Sequence, residues 1–286
     1  MSEPVVERAH AKLNVFLRVL GRRADGYHDI ETLLLPLELH DVVTVRPAER
    51  FSVDVVGVRA AELTSAGGES LVARAADAFA RSTGLGARPS VAITVDKRIP
   101  VTAGMGGGSA DAAAVLRALG RLRGVDRAEL LAIAAEVGAD VPALVHGGVV
   151  FAEGRGERVT GVHAVTTQWV VAPLAFGVRT PDAYGWWDED PRTGPDPGAL
   201  IAAFETGNDE LLGSALFDDL QAGVVARHPE VGATLQMLEA AGALGAVMTG
   251  SGPTVVALAR HLGHADALAA AVPGAFVTSG PPSGGR

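Results

Sequence analysis

From residue 14 to residue 57 short apolar runs rich in Val and Leu are separated by polar and turn-forming residues, a pattern that reads as a strand-rich meander. "NVFLRVL", "ETLLLPLEL", "DVVTVRP" and "FSVDVVG" read as four strands of a meander, with "GRRADGYHD" as the turn after the first. The period then changes. "ESLVARAADAFARSTG" spaces its apolar residues three and four apart and predicts a helix ending at Gly84. "PSVAITVDKRIP" has the alternating pattern of a strand. The loop "VTAGMGGG" runs into a helical pattern, "SADAAAVLRALGRL", followed by a second, "RAELLAIAAEVG", then "ADVPALVHGG" and a strand "VVFAEG".

A boundary is expected near residues 153–163, "EGRGERVTGVH", dividing the chain into domains 1–157 and 158–286. "TQWVVAPL" predicts a strand. Residues 180–198, "TPDAYGWWDEDPRTGPDPG", are rich in Pro, Gly and Asp and read as a long loop. Helices are expected around 199–205, 208–225 and 230–241. "GAVMTGSGPTVVAL" reads as strand, glycine turn, strand. A helix near 264–271, a short strand "AFVTSG" and a frayed tail complete the chain. Strands and helices mix without regular alternation, which predicts an α+β fold of two subdomains rather than a doubly wound sheet.

The 286 residues suffice for one large domain or two modest ones, and 48% hydrophobic with 20% charged residues matches a soluble globular protein. No apolar run approaches the roughly 20 residues that span a bilayer. "MSEPVVERAH" lacks the basic start and apolar stretch of a signal peptide, so a cytoplasmic location is expected, without membrane association. The absence of cysteine excludes disulfides, thiolate metal sites and thiol catalysis. A formal charge of −9 and the lack of a dense Lys/Arg run argue against a nucleic-acid surface. Among 24 Lys and Arg residues only Lys12 and Lys97 are lysine. Where positive charge alone is needed this chain uses arginine, which sets those two positions apart.

The most informative stretch is "IPVTAGMGGGSADAA". Gly104, Gly106, Gly107 and Gly108 permit positive φ and close approach to a ligand. Ser109 and Asp111 fall where a helix would begin, and the unpaired N–H groups there would hold an anion. The functional reading is a phosphate cradle; the plain one is a glycine turn with Ser109 as N-cap. The stretch is neither a Walker A sequence nor a dinucleotide fingerprint.

Taken with "AHAKLNVFL" near the N-terminus and "MTGSGPTVVAL" near the C-terminus, this stretch resembles the three motifs of the GHMP kinase superfamily. The resemblance runs from about residue 8 to residue 259. It implies an ATP-dependent small-molecule kinase with two lobes, an N-terminal one like domain 2 of ribosomal protein S5 and a C-terminal α/β sandwich, and an active site in the cleft. "RADGYHDIETLL", "DKRIPVTAGMGGGSADAA" and "GADVPALVHGG", together with "AKLN", are similar to the members that phosphorylate the 2-hydroxyl of a methylerythritol linked to cytidine diphosphate, in the non-mevalonate route to isoprenoids. The implied partners are therefore ATP and a cytidine-diphosphate-linked polyol, with the protein itself a monomer or weak homodimer.

The same resemblance assigns residues. Asp140 matches the catalytic aspartate, although Asp followed by Val141 and Pro142 also suits a helix N-cap. Lys12 matches the catalytic lysine; its ammonium is compact where a guanidinium is a branched fork. Asn14 alternates with Lys12 on one strand face and matches a substrate contact. Tyr27 and His28 would stack on the cytosine and hydrogen-bond its edge, with Tyr184 on the opposite face and Thr180 nearby; stacking is worth roughly 1–3 kcal/mol. Without the resemblance, aromatics in a glycine turn are ordinary. Lys97, Pro100, Val101, Thr102, Ala103, Gly104, Met105, Gly106, Gly107, Gly108, Ser109 and Ala110 would line the ATP site, though Lys97 also reads as a solvated strand end. Gly250, Ser251 and Gly252 form the third-motif turn, expected beside the glycine loop. Mg²⁺ is implied by ATP chemistry, held mainly by phosphates and water, with Ser109 as a candidate ligand and no dedicated cage.

The chain departs from the family pattern in three places. Ser70 stands where asparagine is usual, Ala110 replaces a second serine, and Asp218 in "FDDLQ" replaces asparagine. None of these is expected to touch Lys12 or Asp140. Trp186 and Trp187 receive no role. A homoserine- or mevalonate-type kinase, a non-catalytic nucleotide sensor and a pure binding module remain the competing readings.

Overall fold

The computed structural model of the chain describes residues 3–63, 70–101 and 104–282. The fold is α+β. It begins with β1 (Val5–Arg22), β2 (His28–Pro47) and β3 (Ser52–Val56), then α1 (Ala60–Leu63), α2 (Leu71–Ser82) and β4 (Val91–Asp96). Three helices follow, α3 (Gly107–Arg123), α4 (Arg127–Val137) and α5 (Val141–His146), and three strands, β5 (Val149–Gly154), β6 (Arg158–Val162) and β7 (Thr167–Ala172). Next come α6 (Thr180–Glu189), α7 (Gly198–Thr206), α8 (Asp209–Ser214), β8 (Phe217–Asp218), α9 (Gln221–Arg227) and α10 (Pro229–Ala240). The order ends with β9 (Gly245–Met248), β10 (Val255–Ala259), α11 (Leu262–Ala271) and β11 (Phe276–Gly280). No helix among the described residues is long and apolar enough to cross a membrane.

Two compact units interleave along the sequence. The first comprises Met1–Ala11, Leu39–Val101 and Gly106–Gly147; the second comprises Lys12–Glu38, Thr102–Met105 and Gly148–Arg286. In the first, β4 lies antiparallel to the end of β2, from Val42↔Asp96 to Pro47↔Val91, and β3 lies parallel to β4. Four helices, α2 to α5, pack together here. On α2 the spacing of Val72, Ala75, Ala76 and Phe79 makes one buried stripe, and Ser70 caps the helix by accepting the Val72 N–H at 3.3 Å. The alanine-rich α3 is buried over most of its surface.

In the second unit, β5 lies antiparallel to the start of β2, β6 completes a hairpin with β5, and β8 runs parallel to β1 through Phe16↔Phe217 and Leu17↔Asp218. A separate antiparallel sheet has the order β11-β7-β10-β9. Its inner residues, among them Val170, Met248, Val255 and Ala257, form one core with Trp187, Leu220, Val224 and Leu238.

The structure corrects several expectations. Residues 31–39 and 41–47 form one strand rather than two: β2 pairs with β5 as far as Leu34 and with β4 from Val42, and Pro36 falls between the two ladders, where it removes no bond from either. The expected helix at 208–225 is interrupted, because Phe217 and Asp218 pair with β1. The expected loop at 180–198 begins with a ten-residue helix, α6. Pro181 sits in its first turn, where a missing N–H costs nothing, and Ala183 and Trp187, four residues apart, are its buried side.

Gly185 lies in α6, exposed, with open space where a Cβ would stand. Gly185→Ala is therefore expected to stabilise the protein by about 1 kcal/mol, through helix propensity alone. Denaturant unfolding measures it, and no gain would contradict a helix at this position.

Candidate active site

Lys12 and Asn14 occupy alternate positions on β1 and both are buried, Lys12 being only 5% exposed. Burial obliges each to find hydrogen-bond partners. Lys12 Nζ donates to Asn14 Oδ1 at 2.6 Å and to the Gly104 carbonyl at 3.3 Å, while the Lys12 backbone N–H donates to Met105 O at 3.0 Å. Asn14 Nδ2 donates to Thr32 Oγ1 at 2.8 Å, and Thr32 donates to Phe16 O at 2.6 Å. The Asn14 backbone N–H donates to Thr249 Oγ1 at 2.7 Å. First motif, glycine loop and third motif thus meet within the second unit.

The meeting is close. Gly104 has φ +69°, and a Cβ there would lie 3.3 Å from Gly252 O. Gly250 has φ +61°, and a Cβ there would lie 2.8 Å from Asn14 Oδ1 and 3.9 Å from Lys12 Nζ. Ser251 Oγ stands 3.1 Å from Thr180 Oγ1. Met105 is fully buried. Thr102 and Ala103, also expected at the ATP site, lie outside the described residues.

In the first unit α3 starts two residues earlier than its sequence pattern suggests. Gly106, with φ +68°, is the N-cap, and Gly107 and Gly108 are helical rather than left-handed. Ser109 is thus inside the first turn and caps nothing, while Ala110 N–H closes the turn onto Gly106 O at 2.8 Å. Because glycine has no side chain, the first N–H groups of α3 have no side-chain cap. Gly107 is tightly enclosed: a Cβ would lie 3.3 Å from both Ile99 Cγ2 and Lys97 Nζ.

Lys97 is not a solvated strand end. It is 2% exposed, and its ammonium is bound by Asp41 Oδ2 and, at 2.8 Å, by Asp111 Oδ2. Asp41 Oδ1 also accepts the N–H groups of Arg98 and Ile99, at 2.5 and 2.8 Å, so one carboxylate fixes the chain leading to Pro100 and Val101. Burial disfavours the Lys97 ammonium, but Asp111 and Asp41 outweigh it and raise its pKa. Burial, reinforced by Asp41 and opposed by Lys97, pushes the Asp111 carboxyl up to about 7.

Asp140 stands at the N-cap position of α5 but makes no side-chain cap bond. The capping reading is therefore not what holds this carboxylate in place.

At the start of β2 the turn "RADGYH" is closed by the Arg23 N–H to Tyr27 O bond of 2.7 Å, with Gly26 at φ +86°. Asp25 accepts the Tyr27 N–H, and that bond, with Arg23, holds its carboxyl below the ordinary range. Tyr27 is 59% exposed, with the Arg155 guanidinium 5.1 Å from its ring centroid. His28 and Tyr184 are brought together: their rings stack at 4.8 Å and 25°. His28 Nε2 lies 2.8 Å from Asp188 Oδ1. The sequence reading missed Asp188 because it treated 180–198 as loop; helical spacing places it one turn after Tyr184.

Asp218 is fully buried between β1 and the third-motif turn. Burial pushes its carboxyl well above the ordinary range, with Asp219 adding to this, while the Leu220 and Gly250 N–H groups and the Lys12 ammonium act against it. Parallel pairing of β8 with β1 brings Asp218 near enough for the Lys12 ammonium to act on its carboxyl.

The Asp111 value sets a pH dependence. Between about 3.8 and about 7 the folded state holds a proton that the unfolded chain has released, so this carboxyl lowers stability as pH rises through that window, with no further change above it. Denaturant titrations from pH 4 to 8 should show the stability of the wild type relative to Asp111→Asn falling up to pH 7 and then levelling. A difference independent of pH would mean that Asp111 is ionised throughout.

Comparison with known proteins agrees with this geometry. Residues 70–148 match the GHMP kinases N terminal domain and residues 200–278 the GHMP kinases C terminal domain. The chain is 44% identical over 275 residues to the 4-diphosphocytidyl-2-C-methyl-D-erythritol kinase of Anaeromyxobacter dehalogenans strain 2CP-C, covering 94% of this chain and 85% of that relative. The crystal structure of a 4-(cytidine 5'-diphospho)-2C-methyl-D-erythritol kinase superposes with a TM-score of 0.80 at 33% identity, covering 98% of this chain and 100% of the other. A homoserine kinase from Cytophaga hutchinsonii, with a TM-score of 0.76, 19% identity and coverage of 100% and 98%, shares the fold alone. The chain belongs to the 4-diphosphocytidyl-2-C-methyl-D-erythritol kinase family of the GHMP kinases.

Proposed function

We propose that the chain transfers the γ-phosphoryl group of ATP to the 2-hydroxyl of 4-diphosphocytidyl-2-C-methyl-D-erythritol, giving the 2-phosphate and ADP for isoprenoid precursor synthesis in the cytoplasm. The observation that carries this reading is the 44% identity, over 94% of the chain, to a kinase named for that substrate. A monomer or weak homodimer suffices, and the sequence modules 1–157 and 158–286 remain the proposed domains.

In the reaction the hydroxyl oxygen bonds to the γ-phosphorus, the bond from that phosphorus to the β,γ-bridging oxygen breaks, and the hydroxyl proton leaves. Asp140 is the proposed acceptor of that proton, a role that rests on its match to the catalytic aspartate of the family. Lys12 supplies a fixed, compact positive charge to the migrating phosphoryl group, and Asn14 orients both Lys12 and substrate. The turn at Gly104, Met105 and Gly106 and the N–H groups of Gly107, Gly108, Ser109 and Ala110 bind the ATP phosphates. By the family resemblance Pro100, Val101, Thr102 and Ala103 are further proposed ATP contacts, with Gly250, Ser251 and Gly252 as the supporting turn. Lys97 acts from beneath α3, as its bonds to Asp41 and Asp111 indicate. Tyr27, His28, Thr180 and Tyr184 take the cytidyl group.

The described residues contain no group of three His, Asp or Glu able to hold a metal, and Ser109 contributes a single hydroxyl. These residues fit Mg²⁺ held mainly by the ATP phosphates and water, where it would neutralise phosphate charge.

An ADP-release assay with the cytidyl substrate, homoserine and mevalonate tests the assignment; turnover of only homoserine or mevalonate would overturn it. Asp140→Asn is expected to lower kcat by about 10²–10⁴-fold while ATP affinity changes little. Equal losses of rate and ATP affinity would make Asp140 structural. Lys12→Arg keeps the charge but should lose most of the rate, since the fork needs more room than the ammonium. Near-wild-type turnover in that variant would refute the geometric account.

A further inference from the structure

The ring of His28 is enclosed by one face of α6. Tyr184 stacks on it, Trp187 meets it edge-on with centroids 5.8 Å apart at 88°, and Asp188 binds its Nε2 at 2.8 Å. These three residues are spaced i, i+3 and i+4, so a single helical stripe sets the position and rotation of the ring. The second oxygen of Asp188 faces Arg22 Nη1 at 3.6 Å, which holds the carboxylate from its other side.

A carboxylate accepts hydrogen bonds and donates none, so the proton of a neutral His28 resides on Nε2. Nδ1 is then a bare acceptor. It has no hydrogen-bond partner among the described residues, and it is not among the buried side-chain atoms that lack one. The ring therefore presents a lone pair, in a fixed direction, to whatever lies against it.

We propose that Asp188 is a positioning residue that fixes the His28 tautomer and so makes the base site select an amine edge over a carbonyl edge, cytosine over uracil. The inference rests on the reading above that His28 faces the base. The two bases have nearly the same shape, and at position 4 cytosine carries an amine and uracil a carbonyl. The amine donates to Nδ1. The carbonyl sets lone pair against lone pair and leaves both groups unpaired, which lowers kcat/KM by about 10–100-fold. Shape and stacking alone do not make this distinction, because both bases offer the same ring face to Tyr27 and Tyr184.

The test compares the cytidyl substrate with its uridyl analogue in the wild type and in Asp188→Asn, whose amide offers Nε2 either a donor or an acceptor. Histidine ¹⁵N spectra, assigned with His28→Gln, read the tautomer directly. In the wild type, a single Nε2–H tautomer and a 10–100-fold preference for the cytidyl compound are expected. In Asp188→Asn, mixed tautomers and a preference shrinking toward unity are expected, through a higher KM for the cytidyl substrate, with kcat and the KM for ATP within about two-fold. Three results would each overturn the proposal: an imidazolium or Nδ1–H tautomer in the wild type, an unchanged preference once the tautomer is mixed, or equal losses for both substrates. The spectrum needs no variant at Asp188, so a variant that fails to fold does not shield the idea. A wild type that turns over the cytidyl compound without preferring it defeats the selection alone. A wild type that does not turn it over at all defeats the substrate reading, and the selection with it.

Discussion

A buried ammonium must have its hydrogens accepted, and both lysines of this chain are buried, one in each compact unit. In the first unit the acceptors are Asp41 and Asp111. Removing one partner from a buried ion pair typically costs about 3–5 kcal/mol, so these positions constrain one another strongly. The consequence for the backbone is direct. Asp41 reaches from β2 to the N–H groups of Arg98 and Ile99, and Asp111 projects from the second turn of α3 onto the same ammonium. The strand end and the helix start are thereby tied at Lys97, and the first turn of α3 passes close to it: a Cβ on Gly107 would lie 3.3 Å from that nitrogen.

Helix α6 shows a second way in which side chains impose a position. Its paired tryptophans do different jobs. Trp187 faces the core and donates its indole N–H to Arg192 O at 3.0 Å, anchoring the chain that leaves the helix. Trp186 packs against the His228 ring at 5.8 Å and lies under the Arg227 guanidinium at 5.0 Å, which fastens α6 to α9. Phe176 closes the other side of His228 at 4.7 Å. With both tryptophans committed, the remaining stripe, Tyr184 and Asp188, has one orientation available, toward His28.

Local periodicity made much of the fold legible. Helices α2, α4 and α10 and strands β5, β7, β9, β10 and β11 fall where apolar spacing puts them. Two kinds of feature escaped it. One was composition that misleads: Pro181, Gly185 and two aspartates made α6 look like loop, although Pro in a first turn starts a helix and the Ala183–Trp187 spacing is helical. The other was pairing across distance. Phe217 and Asp218 form a strand only because β1 lies beside them, and nothing within "FDDLQ" announces that partner. The same limit applied to the site. Lys12 and Asn14 could be placed on one strand face, and they do bond. Asp41 and Asp188, remote from the residues they serve, carried no motif of their own.

The surroundings of Lys12 explain what a pattern of glycines encodes. Gly104 and Gly250 both have positive φ, but backbone conformation is only half of their role. The turns that contain them approach so closely that one glycine would press a side chain against Gly252 O and the other against Asn14 Oδ1. Between these turns and β1 the Lys12 ammonium donates to the Gly104 carbonyl and to Asn14 Oδ1. That space suits a small donor able to turn three hydrogens toward separate acceptors, which an ammonium is and a rigid planar guanidinium is not. In a chain that otherwise uses arginine, lysine at position 12 therefore follows from the same close approach that requires glycine at positions 104 and 250.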